Sequence, residues 1–351
     1  MNELEKMIED ILPVDQQAYE ACVANLNRIA KPLGSLGKLE TLLARIASVT
    51  GDPFVNVKHK CVLVFCADNG VLAQGVAQST HDVTTAIGRS LAAGTTSVNA
   101  MAKAAGADVF PVDMGMIDDV PDLLNRKIAR GTKDLSVEPA MSREQAVQAV
   151  MTGIELVREK KMAGYQVIAT GEAGIGNTTS SSAMASVLLN LPVETVTGRG
   201  SGLTDAGLQR KQEAILRGIA VNKPDPDDPL DVLAKVGGFD IAAMAGAFLG
   251  GALYRVPVVM DGLISSIAAL CAARICPLVK DYLIASHVTA EPAGKYIMEE
   301  LGLDPMIHGN LRLGEGTGAV ALFPMLDLAE SVYYNAATFD GIKVEAYKKL
   351  S

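Results

Sequence analysis

The chain has 351 residues, 49% of them apolar and 20% charged, which is long enough to bury a large core and too apolar for a disordered tail. A net charge of −9, from 31 Lys and Arg against 40 Asp and Glu, would repel a phosphate backbone and excludes nucleic acid as a partner. The five cysteines are odd in number and lie in apolar segments without CxxC spacing, so reduced, buried thiols in a cytoplasmic protein are expected.

Residues 1–12 are acidic and amphipathic, without the basic and apolar stretches of a secretory signal. Up to residue 50 the pattern is helical, broken at Lys31-Pro32-Leu33-Gly34. Short apolar runs follow at 61–67, 109–112, 166–170, 256–260 and 282–285, each closed by a Gly- or Asp-containing turn. These predict buried parallel strands. Longer helical patterns separate them, such as 142–163, where Ser142 and Gln145 form a capping box and Gly164 stops the helix. Alternation of strand and helix makes the class α/β. The stretch NKPDPDDP at 222–229 reads as an exposed loop, and residues after 325 carry no strand signal. Uncharged apolar runs such as 241–254 are too short and Gly-rich to span a bilayer, so no membrane partner is expected. With no Trp, 4% aromatics and 33 Gly, the core must be filled by small and aliphatic side chains in close contact.

In an open parallel sheet, ligands bind beyond the carboxyl ends of the strands. The stretches to inspect are therefore 67–70, 170–179, 261–262 and 286–287, together with 313–318 ahead of an apolar run. GEAGIGNTT at 171–179 places Asn177, Thr178 and Thr179 at a helix start behind Gly174 and Gly176. Backbone N–H groups there would face a phosphate, the alternative being a Gly-rich turn with a polar cap. Gly171, Gly176 and Thr178 also imitate a Walker A loop, and the run ending in Asp261 a Walker B strand, which admits a P-loop hydrolase. Asn177 in place of the lysine opposes that reading. GRGSG at 198–202, followed by Arg210 and Lys211 on a helix, is either an anion grip or a flexible loop with solvated cations. Glu315, between Gly314 and Gly316, is either a general base or a turn residue. Asp68, Glu172 and Asp261 share that ambiguity. His59, His81, His287 and His308 lack ligand spacing, so neither a metal nor another cofactor is expected. No GxSxG elbow or nucleophilic cysteine context supports covalent catalysis.

Taken together, these pieces resemble the nicotinate-nucleotide:dimethylbenzimidazole phosphoribosyltransferase family. The resemblance is carried by KPLGSLGKLE (31–40), FCADNGVLAQG (65–75), GEAGIGNTT (171–179) and GRGSGLTDAGLQRK (198–211). It continues through GGFDIAAMAGA (237–247), DGLISSIAAL (261–270), SHVTAEP (286–292) and LRLGEGTGA (311–319). It implies a three-layer α/β/α, Rossmann-like parallel sheet over 51–325, with a small helical domain built from 1–50 and 326–351. The implied activity moves 5-phosphoribosyl from nicotinate mononucleotide to a cobamide lower-ligand base, a benzimidazole, purine or phenol, with inversion at C1′.

The resemblance makes Glu315 the base and gives Gly174, Gly176, Asn177 and Thr178 the 5′-phosphate, with Lys211 as its cation. Gly200, Gly202, Gly314 and Ser286 would border the nucleotide, and Asp240 would either touch the ribose or cap a helix. Glu172 or Asp261 would stabilise the oxocarbenium-like ribose. Thr80, His81 and Leu313 would line the acceptor pocket, where His81 stands in place of an expected Ser or Gln. A homodimer, or a heterodimer with a paralogous subunit, is implied. The alternative is a non-catalytic or weakly active partner subunit of such a pair.

Overall fold

The computed structural model describes residues 3–347. The outermost residues of the two expected terminal segments, 1–2 and 348–351, lie outside that range. Six parallel strands form one sheet: β1 (Lys60–Ala67), β2 (Ala107–Gly115), β3 (Leu124–Asn125), β4 (Val167–Ala173), β5 (Val258–Met260) and β6 (Leu283–Ala285). Their order is β3-β2-β1-β4-β5-β6, so the winding reverses between β1 and β4. All of β1 is buried, as its unbroken run KCVLVFCA requires of a strand covered on both faces.

Alternate residues of β1 feed different layers. Cys61, Leu63, Phe65 and Ala67 join the core beneath helices Arg143–Met162, Phe239–Tyr254 and Leu263–Ile275. Val62, Val64 and Cys66 face helices Lys38–Thr50 and Thr317–Asn335. Three layers result. The small-residue composition appears where Arg143–Met162 meets Phe239–Tyr254: Cβ atoms at Gly153 and Gly246 would lie 2.9 and 2.8 Å from the carbonyl carbons of Ala243 and Val150. Only glycine allows backbones to approach so closely.

The capping box at Ser142 and Gln145 is present, and Gly164 follows the helix with φ +92°. Three expectations shift. β3 was not foreseen, because two residues carry no period. β4 runs on through Ala173, so Gly171, Glu172 and Ala173 belong to the strand rather than to the loop after it. The exposed loop is confined to 223–228, because Asn222 ends helix Asp205–Asn222, its Nδ2 donating to Leu135 O at 2.6 Å, and Pro229 opens the next helix.

Segments from the two halves of the expected terminal unit meet. Ala30 N donates to Ala337 O at 2.8 Å, and Asn25 Nδ2 to Tyr333 Oη at 2.9 Å. Helix Thr317–Asn335 runs unbroken across positions 325 and 326, and its Phe323 and Leu326 share a buried cluster with Leu26, Leu43 and Val64. No helix among the described residues is long and apolar enough to cross a membrane.

Candidate active site

A cleft of about 1070 Å³, counted out to the solvent at its mouth, opens past the carboxyl ends of β4, β5 and β6. Its floor is the turn Gly174–Thr178, where Gly176 is the N-cap of helix Asn177–Leu189. The first backbone N–H groups of a helix have no intrahelical acceptor, so they and the helix dipole favour an anion there. Beneath the turn, Lys211 is fully buried and donates to Thr178 Oγ1 at 2.9 Å and Gly198 O at 3.2 Å. Burial pushes its ammonium down to about 8.

The opposite wall carries Glu315. Gly314, Glu315 and Gly316 have φ of +95°, +61° and +92°, a left-handed run that holds a non-glycine residue in costly backbone. Two contacts hold the run in place. Asp261 Oδ1 accepts from the N–H groups of Gly318 and Ala319 at 2.8 and 3.1 Å, and Oδ2 from Gly316 at 3.2 Å. On the other side, a Cβ at Gly171 would come 2.5 Å from the Glu315 carbonyl carbon, so β4 must offer a glycine there. Glu315 Oε2 accepts from Val98 N at 3.2 Å, while Oε1 accepts no hydrogen bond among the described residues.

Between floor and wall lies Glu172, only 9% exposed. Asn177 Nδ2 donates to both Glu172 Oε2 and Asp240 Oδ2, the latter at 2.9 Å. Burial first, then the Asp240 carboxylate, pushes Glu172 up to about 8. Burial likewise pushes Asp240 up to about 6. Near neutral pH Glu172 therefore holds a proton. Burial also raises Asp261, against the opposing pull of His287 and the backbone donors, and lowers His287.

A phosphoribosyltransferase family model matches residues 11–344. The chain is 44% identical over 349 residues to the nicotinate-nucleotide–dimethylbenzimidazole phosphoribosyltransferase of Clostridium acetobutylicum, covering 99% of each. It is 45% identical over 348 residues to the enzyme of that name from Ruminiclostridium cellulolyticum, again with 99% of each covered. The crystal structure of CobT from Thermus thermophilus superposes with a TM-score of 0.89 at 36% identity, over 94% of this chain and all of that one. The chain belongs to the nicotinate-nucleotide–dimethylbenzimidazole phosphoribosyltransferase family.

Of the residues singled out in the sequence, Glu172, Gly174, Gly176, Asn177, Thr178, Gly200, Asp261, Leu313, Gly314 and Glu315 line the cleft of this phosphoribosyltransferase. Lys211 and Asp240 stand behind the lining and touch Thr178 and Asn177. Ser286 is buried at the end of β6, donating to Met260 O. Gly202 lies outside the lining, its carbonyl accepting from Gln78 Nε2. Thr80 and His81 are exposed at the start of helix His81–Ala92, and from that stretch it is Val76, Ala77 and Ile87 that reach the cleft. The Walker A spacing does not form a loop, because Gly171 is inside β4.

Sequence reasoning missed Arg199, Glu291 and Arg312 as site members, all of which line the cleft with His287. Arg199 and Arg312 stand beside singled-out glycine and leucine positions. His287 lies just past the end of β6, in the stretch 286–287 that the strand-end rule singled out, although no role in the site was assigned to it.

Proposed function

We propose that this enzyme transfers the 5-phosphoribosyl group of nicotinate mononucleotide to dimethylbenzimidazole or a related benzimidazole, purine or phenol, releasing nicotinate and an α-ribotide. One observation carries the reading: an unspent carboxylate oxygen, Glu315 Oε1, shares a cleft with a helix N-terminus backed by a buried lysine. The close relatives bear the name of this reaction over their full length.

The phosphate sits on the N–H groups of Gly176 and Thr178 above Lys211, those of Ile175 and Asn177 being spent on Thr84 Oγ1 and Gly174 O, which fixes C1′ relative to Glu315. An acceptor ring nitrogen attacks C1′ from the face opposite nicotinate. Its lone pair forms the new bond, the old C1′–N bond breaks, and that electron pair neutralises the pyridinium. The leaving group therefore needs no acid. The acceptor N–H proton passes to Glu315. Attack from the opposite face inverts C1′, and a phenol would follow the same course through oxygen. Asp261 serves by holding the turn that carries Glu315, since its oxygens already accept backbone N–H groups. The role extends to a dimeric, cytoplasmic enzyme of cobamide assembly, with helices from both chain ends forming a small unit beside the sheet.

The test is direct. Purified protein is mixed with nicotinate mononucleotide and, separately, dimethylbenzimidazole, adenine and phenol, and nicotinate release and ribotide mass are followed by chromatography and mass spectrometry. Ribotide with any one acceptor supports the transfer and names the preference. Folded protein that makes none would sink it, and activity appearing only with a second chain would mark a heteromeric pair.

A further inference from the structure

We propose that Thr84 is a positioning residue for the donor's phosphate: its hydroxyl holds Ile175 N–H and so fixes the turn whose free N–H groups, those of Gly176 and Thr178, receive the anion. This role deepens the proposed transfer and rests on it.

The turn Gly174–Thr178 contains two glycines, and Gly176 stands at φ +100°, in backbone that other residues rarely adopt. Asn177 N donates to Gly174 O at 3.1 Å, which closes the turn on itself without tying it to the sheet. Ile175 N instead donates outward, to Thr84 Oγ1 at 3.2 Å. Thr84 is fully buried on helix His81–Ala92. It stands behind the cleft lining, to which Ile175, Gly176 and Thr178 belong. A hydroxyl that accepts on one side still has a proton to give on the other. The carboxyl that faces it is Asp68, buried just past the end of β1. Asp68 Oδ2 already accepts from Ile117 N at 2.8 Å, and Oδ1 is the buried oxygen left for the threonine's proton. Next to it, Thr85 Oγ1 donates to Asp118 Oδ2 at 3.0 Å, which pins the same helix to the segment after β2. Thr84 thus bridges the ends of β1 and β4, where the winding of the sheet reverses, and passes the fixed position of β1 to the turn. Valine has the same shape but can neither accept nor donate, so it would leave Ile175 N–H without its acceptor and the turn without that tie.

The measurement is KM and kcat for nicotinate mononucleotide in wild type, Thr84→Val and Thr84→Ser. The phosphate is remote from the bond that breaks and is held alike before and during the transfer, so a misplaced turn shows in KM and not in kcat. Thr84→Val should raise KM about 10-fold with kcat within about 3-fold, whereas Thr84→Ser, which keeps the hydroxyl, should stay within about 3-fold of wild type in both. An unchanged KM in Thr84→Val overturns the assignment even if the melting temperature falls, since the hydroxyl would then support the fold alone. An equal rise in Thr84→Val and Thr84→Ser overturns it too. If Thr84→Val does not fold, Thr84→Ser against Thr84→Ala makes the same comparison. If folded wild type releases no nicotinate, the transfer reading has failed, and calorimetric binding of ribose 5-phosphate decides Thr84 separately. Binding weakened in Thr84→Val and kept in Thr84→Ser supports the assignment, and equal binding or none in all three proteins refutes it.

Discussion

Gly171 and Glu315 press backbone to backbone: the bare α-carbon of a central strand residue fills the space beside the carbonyl of the carboxylate that faces the cleft. β4 thereby positions Glu315, which is more than a hundred residues away in the chain. Gly171→Ala should force the turn outward, lowering stability by about 1–3 kcal/mol and moving Glu315 off its line of attack. Thermal melts and kcat of the folded fraction would check it. A variant with a lower Tm but wild-type kcat would show that the contact supports the fold alone.

Removing the base while keeping its size isolates its chemistry. Glu315→Gln should lower kcat by about 10²- to 10⁴-fold, with KM for the donor within about 3-fold of wild type. Near-normal turnover would remove Glu315 from the base role.

Glu172 carries the clearest pH signature. Its carboxyl, facing Asn177, Asp240, Asp261 and Glu315, is raised from 4.5 to about 8. Between those values the native protein holds a proton that the unfolded chain has released, so stability is fully present below the lower value and falls as pH rises towards 8. Asp240, raised from 3.8 to about 6, adds a loss of the same sign at lower pH. Melting temperature should therefore decline from pH 6 to 8, and Glu172→Gln should flatten most of that decline. An equal slope in both proteins would mean that Glu172 ionises normally.

Lys211 titrates in the opposite sense. Its pKa of about 8 is low because burial of the ammonium outweighs the pull of the Glu291 carboxylate, and both of its hydrogen bonds go to neutral oxygens. A bound phosphate would restore the charge, so donor binding should take up a proton above pH 8 and weaken as pH climbs. Calorimetry in buffers of different ionisation enthalpy would detect the proton. Lys211→Met should weaken donor binding by about 10- to 100-fold at pH 7 and abolish the uptake. Uptake that persists in the variant would place the titrating group elsewhere.

Five of the six strands, the capped helix at Arg143–Met162, the helix start at Asn177 and the glycine-flanked Glu315 were legible in the sequence. Each is encoded by residues a few positions apart: an unbroken apolar run, a capping box, a glycine pair. The order β3-β2-β1-β4-β5-β6 was not legible, because it depends on pairings between distant segments. That order brings the ends of β4, β5 and β6 together and sets Arg199, His287, Glu291 and Arg312 around the carboxylate. Burial likewise decides protonation. A glutamate and a lysine have ordinary pKa values as letters, and only the low-dielectric space that the fold makes around Glu172 and Lys211 moves both to about 8. The sequence alone thus determined most of the elements and the candidate base, and tertiary structure decided which charges meet and in what state.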